Sequence, residues 1–311
     1  MDRSESWRCY LVRQLRFLSG FVFIHACLLS SCQKDIQSFS PATCGQGLPP
    51  AQVRELTVGT FSIVAVDPNA GVCGAAVASK YPAVGKVVPY VRAGVGAFCT
   101  QHCHNPQWGE FALDLLAKGY LPEQVLSELL RNDTQPDKRQ LAIIDMSGRA
   151  ANRNPARADP SGLWWGGVSG KYYACQGNTL VGREVIFAMA RAYEETQGSF
   201  ADRLMAALIA GDCAGGDHRG HLAAGIRVAK EGIDGYWLEL YVDKSEEAVI
   251  DLAKKYAALE HEAKGAALSL PKSSWPGGGL PFKHPCPPVG SQNQISNITT
   301  VPLRFYEIVV S

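Results

Sequence analysis

Thr60-Phe61-Ser62-Ile63-Val64-Ala65-Val66-Asp67 is the stretch from which the rest of the chain is read. Apolar and β-branched residues dominate it, the composition of a strand buried on at least one face. Asp67-Pro68-Asn69-Ala70-Gly71 follows as a turn. Val72 to Ser79 returns as a second strand, and its Gly74, Ala75, Ala76 and Ala78 permit close packing. Pairing the two strands about that turn sets Thr60 near Ala78, with Ser79 and Lys80 just beyond. Gly59 stands directly before the threonine. A cut between Gly59 and Thr60 would expose a residue carrying both a hydroxyl and a free α-amine, a nucleophile with its own general base. Lys80, at the same end of the hairpin, would lower the pKa of that amine toward neutrality.

Working outward, residues 86–91 and 94–101 read as two more strands. Residues 108–118 and a segment opening at Pro122 carry apolar positions at helical spacing, and Gly119 ends the first of them. Strands are expected at 139–145 and 149–153 about the turn Met146-Ser147-Gly148, and at 171–176. A second helix pair follows at 184–196 and from Ser199 to before Gly211, with Asp202 placed for a capping box. A closing hairpin, 222–229 with 236–242, and a helix at 246–261 complete the pattern. Strands, two helices, strands, two helices, strands and a helix describe an α+β fold. Two antiparallel sheets with helix pairs on both outer faces, a four-layer αββα sandwich, satisfy that order.

The bulk numbers are those of an ordinary globular chain: 311 residues, 46% hydrophobic and 19% charged, with a net charge of +1. No basic block or aromatic-interleaved patch argues for nucleic acid. The ten cysteines form no paired CxxC motifs, and most read as small buried thiols, with one or two disulfides open. Arg3, Arg8, Arg13 and Arg16 precede an apolar run at 17–29. That run is shorter than the roughly 20 residues a membrane helix needs, and the pairing is that of a secretory signal. It ends Leu29-Ser30-Ser31-Cys32, which resembles a bacterial lipobox, so 1–31 are expected to be a signal peptide and Cys32 the lipidated residue. The expected location is the envelope of a bacterium, lipid-anchored at the outer membrane on its periplasmic or surface side; a plain signal peptide or an uncleaved anchor is the alternative reading. Residues 32–58 read as a tether or propeptide, 59–263 as the domain, and 264–311 as a Pro/Gly-rich extension.

Further motifs carry a family resemblance. Thr60-Phe61-Ser62-Ile63-Val64-Ala65 is joined by Ala76-Val77-Ala78-Ser79-Lys80, Val88-Pro89, Arg92-Ala93-Gly94-Val95-Gly96-Ala97, Thr100-Gln101, Asn105-Pro106, Gln176-Gly177-Asn178 and Gly215-Gly216-Asp217 with Arg219-Gly220. Together they resemble the DUF1028 family from residue 59 to about 260. The family is similar to the N-terminal-nucleophile (Ntn) hydrolases, and the resemblance implies their αββα fold and an amide-bond chemistry, without naming a substrate. Its members mostly expose the threonine by losing an initiator Met, whereas here a long segment precedes Thr60. The Gly59–Thr60 bond resembles the junction that proteasome-type subunits cleave in themselves. A second departure is His221-Leu222-Ala223, where relatives are expected to carry Gln and Ser after the Arg-Gly pair.

The candidate catalytic residues are therefore Thr60 and Lys80. Gln101, Asn178, Asp217 and Arg219 are candidates for substrate or oxyanion binding, followed by Thr100, Asn105, His218 and His221. Asp67 is a weaker candidate, because the hairpin puts it at the far end from Thr60. Cys99, His102, Cys103 and His104 are zinc-type ligand residues, but neighbours in a strand point to opposite faces and no second cluster completes a site. No metal and no cofactor is expected. The expected partners are a small-molecule or peptide-like substrate, the membrane through the lipid anchor, and a second copy of the chain. Two function classes stand: a lipid-anchored hydrolase of amide bonds, and a catalytically inactive binding or structural lipoprotein on the same fold.

Overall fold

A computed structural model of the protein describes residues 59–154 and 163–265. The expected leader, the Cys32 anchor, the tether before Gly59 and nearly all of the 264–311 extension lie outside the described residues. No helix among the described residues is long and apolar enough to cross a membrane.

The first hairpin forms as its composition dictates. β1 (Thr60–Asp67) pairs antiparallel with β2 (Val72–Ser79). Asp67 closes the turn, its carboxylate accepting the Asn69 and Ala70 N–H groups at 3.1 and 3.2 Å. Its role there is local, far from Thr60. The register joins Thr60 to Ser79 rather than to Ala78. That one-residue difference matters, because a strand slipped by one residue turns every side chain to the other face.

The strands build two antiparallel sheets. The six-stranded sheet runs β10-β9-β2-β1-β8-β7, with β7 (Trp164–Gly170), β8 (Tyr173–Leu180), β9 (Ala223–Lys230) and β10 (Leu238–Val242). The four-stranded sheet runs β3-β4-β5-β6, with β3 (Pro89–Arg92), β4 (Gly96–His102), β5 (Arg139–Asp145) and β6 (Ala150–Arg153). The strand expected at 86–91 is in part a helical turn, α1 (Val84–Val87), entered through Ala83 at φ 52°. Pro89, with no N–H to give, ends that turn and opens an edge strand. β7 has no counterpart in the expected elements. Its Gly166, Gly167 and Gly170 give it little strand propensity, and its pairing with β8 holds it in place.

Alternation along β1 separates two cores. Phe61, Ile63 and Ala65 pack with α4 (Glu184–Glu195), α5 (Phe200–Cys213) and α6 (Ala248–Gly265) on one face of the larger sheet. Val64 and Val66 point the other way, into a cluster with Ala97, Cys99, Ala142 and Ile144 of the smaller sheet. A third cluster places α2 (Trp108–Ala117) and α3 (Pro122–Leu130) on Phe98, Leu141 and Ile143. Each fully buried Phe or Ile contributes about 1.5–3 kcal/mol relative to exposure.

The capping box of α5 forms as expected. Ser199 Oγ accepts the Asp202 N–H at 3.2 Å, and Asp202 Oδ2 accepts the Ser199 N–H at 2.9 Å. Asp202 also accepts the Tyr256 hydroxyl at 2.8 Å, tying α6 to α5. The helix does not stop before Gly211 but continues through it. A Cβ at Gly211 would stand 2.7 Å from Met189 and 3.2 Å from Phe61, so the glycine serves close packing rather than termination.

Candidate functional site between the sheets

The layer between the two sheets is apolar at one end and polar at the other. On β1 the face that carries Val66 and Val64 continues to Ser62 and Thr60; on β8 the face of Ala174 continues to Gln176 and Asn178. From the smaller sheet, Gln101 extends the row of Ala97 and Cys99, and Gln140 that of Ile144 and Ala142. Thr60, Ser62, Gln101, Gln140, Gln176 and Asn178 are all buried. Polar side chains so placed are costly unless they bond to one another.

Gln140 is the hub. Its Oε1 accepts from Gln101 Nε2 at 2.7 Å and from Asn178 Nδ2 at 2.8 Å, while its Nε2 donates to Gly177 O at 2.7 Å and to Asn154 Oδ1 at 2.7 Å. Gln101 crosses between the sheets in the same way. Its Nε2 also donates to Thr60 O at 3.3 Å, and its Oε1 accepts from Ser62 Oγ at 2.7 Å. Both Gln101 amide hydrogens are thereby engaged, so Gln101 holds the backbone of Thr60 in position and has no donor left for an oxyanion. Asn178 lies opposite Thr60 in the β1–β8 register. One of its two amide hydrogens is given to Gln140.

Thr60 sits at the first position of β1 and is only 4% exposed. Its Oγ1 lies 2.9 Å from Ser79 Oγ. Ser79 Oγ in turn donates to Gly59 O at 2.6 Å and accepts the Tyr81 N–H at 3.0 Å. Ser79 has one hydroxyl hydrogen, and the short contact to the carbonyl uses it. The bond between the hydroxyls is therefore filled by the Thr60 hydrogen. The result is a directed chain: Thr60 O–H to Ser79 Oγ, and Ser79 O–H to the carbonyl of the residue before Thr60. The Lys80 N–H also points to Gly59 O, at 3.4 Å. The Lys80 ammonium opposes protonation of His221.

Asp217 and Arg219 are brought to the same end and are paired with each other. Arg219 Nε and Nη2 reach the Asp217 carboxylate at 3.1 and 2.9 Å. Asp217 is fully buried as a side chain, with His218 Nδ1 at 3.4 Å. It packs on Gly59, where a Cβ would stand 2.4 Å from Asp217 Cγ and 2.4 Å from Thr179 Oγ1. Thr179 adopts φ 49°. A β-branched residue in the left-handed region is strained, and strain of this kind gathers where function requires it. His221 bonds Asp212 through Nδ1 at 2.7 Å, and that bond holds its pKa above the usual histidine value.

Thr100 and Asn105 are not part of this site. Thr100 is on the other face of β4 from Gln101, and its Oγ1 accepts the Asn105 N–H, while Asn105 Oδ1 caps the Gln107 N–H. The zinc-type residues form no cluster that could hold a metal ion among the described residues. Cys99 is a free buried thiol whose pKa burial pushes up to about 12, and Cys103 is disulfide-bonded. Sequence reasoning missed Ser79, Gln140, Ser62 and Thr179. Counting the hairpin from its turn residues would have found Ser79; Gln140 gave no signal beyond its place at a strand start.

Two antiparallel sheets that close over a threonine, a serine and a set of interlocked amides define an α+β protein with a polar site buried between its sheets. The chain belongs to the family of unknown function DUF1028, which matches residues 60–252 and so begins at Thr60. It is similar to a protein of that family from Silicibacter pomeroyi known from its crystal structure, with 29% sequence identity and a TM-score of 0.59. The similarity covers 67% of this chain and 88% of that one. No curated protein matches the sequence.

Proposed function

We propose that this protein is an N-terminal-threonine hydrolase of amide bonds, built on an αββα sandwich of the Ntn type and activated by cleavage between Gly59 and Thr60. The observation that carries the reading is the hydroxyl chain linking Thr60 Oγ1, Ser79 Oγ and Gly59 O at 2.9 and 2.6 Å. In the first step Thr60 Oγ1 bonds to the Gly59 carbonyl carbon. The Thr60 proton passes to Ser79, and the Ser79 proton to the carbonyl oxygen, so no charge is left unbalanced. Collapse re-forms the carbonyl and breaks the Gly59–Thr60 C–N bond, and the proton released from the intermediate's hydroxyl ends on the leaving nitrogen. This leaves an ester on Oγ1, which water hydrolyses to a Gly59 carboxylate and a free threonine.

The freed α-amine then serves as the general base for Thr60 Oγ1. Lys80 follows Ser79 in the chain, and its positive charge would favour the unprotonated form of that amine. Ser79 Oγ and the Lys80 N–H are donors to the carbonyl oxygen, and Asn178 carries an amide at the same register position. The substrate is a small molecule or peptide-like amide. Cys32 lipidation would place the domain in the cell envelope, at the outer membrane.

Intact-mass analysis of the purified full-length protein tests the reading. Expected is a domain that begins at Thr60 in the wild type and a single uncut chain in Thr60→Ala. A wild-type chain that stays whole, beginning at Cys32, refutes the hydrolase and leaves a binding or structural lipoprotein.

A further inference from the structure

We infer that the acyl group this site transfers to Thr60 has no side chain on its α-carbon, which makes glycyl amides the substrate class. The inference rests on the hydrolase reading above and goes beyond it, to what the site accepts.

Gly59 supplies the carbonyl nearest the candidate nucleophile, held by Ser79 Oγ and the Lys80 N–H, so its α-carbon marks the place of an acyl group's α-carbon. A Cβ built there in the L configuration meets Asp217 Cγ at 2.4 Å, Thr179 Oγ1 at 2.4 Å and Asp217 Oδ2 at 2.5 Å. These are distances at which a neighbour must move, and neither neighbour is free to. The Asp217 side chain is fully buried and held by two bonds from Arg219. Its backbone is tied as well, bridging to Leu180 and accepting the Gly220 N–H at 2.8 Å. Thr179 is buried within β8, and its hydroxyl is given to Asn178 O at 2.8 Å.

The walls are also of the wrong chemistry for a methyl group. A carboxylate and a hydroxyl around an α-carbon would lose hydrogen-bonding capacity to an apolar side chain without return. Asp217 and Thr179 are thus specificity residues that line the acyl position and leave room for hydrogen only, and Arg219 is a positioning residue that holds the Asp217 carboxylate there.

The test uses the full-length chain in two arms. In the first, self-cleavage at 59/60 is followed by intact mass in wild type, Gly59→Ala and Gly59→Ala/Thr179→Gly. Expected is a loss of about 100-fold or more in Gly59→Ala, since a single methylene in a well-fitted pocket already discriminates by roughly 10–200-fold. Removing the Thr179 side chain should recover at least part of that loss. In the second arm, cleaved wild-type protein is given glycyl- and L-alanyl-4-nitroanilide, a comparison that needs no variant to fold. Hydrolysis of the glycyl compound with kcat/KM about 100-fold above the alanyl compound is expected. Equal rates for the two anilides, hydrolysis of neither, or a Gly59→Ala chain cut as fast as wild type overturns the inference while the Thr60 hydrolase stands. An uncut wild-type chain overturns the hydrolase reading itself, and this inference with it.

Discussion

Ser79 bears most directly on the proposed chemistry, and Ser79→Ala isolates it. The substitution removes one donor and two acceptor contacts: the 2.6 Å bond to Gly59 O, the 2.9 Å bond from Thr60 Oγ1 and the 3.0 Å bond from the Tyr81 N–H. The first of these is the one that changes a rate. A donor aimed at a carbonyl that becomes tetrahedral is worth about 100- to 1000-fold, or roughly 3–4 kcal/mol. The other donor, the Lys80 N–H at 3.4 Å, is long and replaces little of it. The folding cost is smaller. One buried hydroxyl is left without its acceptor, about 1–3 kcal/mol, against a total stability of about 5–15 kcal/mol for a domain. Ser79→Ala should therefore fold and still cleave slowly. Full-length wild type and variant would be purified at the same time after induction and followed by intact mass, with thermal melts to confirm that both are native. The expected result is a half-time for the 59/60 cut lengthened about 100-fold or more. A native Ser79→Ala chain that cleaves at the wild-type rate refutes the hydroxyl relay.

Two more predictions concern the frame around the site. Gln140→Leu keeps the volume but strips partners from Gln101, Asn178 and Gly177 O, all buried, and should cost about 3–5 kcal/mol in urea unfolding; a loss below about 1 kcal/mol would show that Gln140 is not the hub. His221 has its folded pKa raised by its bond to Asp212, so the stability it adds is full below its unfolded value of about 6.5 and is lost as pH rises through the higher folded value. The unfolding free energy of wild type minus that of Asp212→Asn should accordingly shrink as pH rises above 6.5, and a difference that stays flat as pH rises contradicts the assignment.

Much of the frame was legible along the chain. The β1–β2 hairpin, both helix pairs and the capping box at Ser199 follow from short-range rules that a single segment obeys by itself. Those rules failed where a neighbour overrode local preference. The glycine-rich β7 is a strand only because β8 pairs with it. Gly211 lies within a helix because Phe61 and Met189 leave no room for a side chain. Residues 84–87 turn as helix, and the strand begins only at Pro89.

The site divides along the same line. The sequence by itself determined that Thr60 opens the first strand behind a glycine, with Lys80 at the same end and Gln101, Asn178, Asp217 and Arg219 as polar residues at strand ends and on loops. Only the tertiary structure decided what these residues do for one another. The one-residue register puts Ser79 rather than Ala78 against Thr60. The facing of two sheets turns Gln101 and Gln140 into a lattice that holds the threonine's backbone. The return of the loop after α5 lays Asp217 on Gly59. Each is a contact between segments far apart in sequence, and burial, which makes an unpaired polar group costly, favours those contacts, although the buried Gln176 amide finds no hydrogen-bond partner.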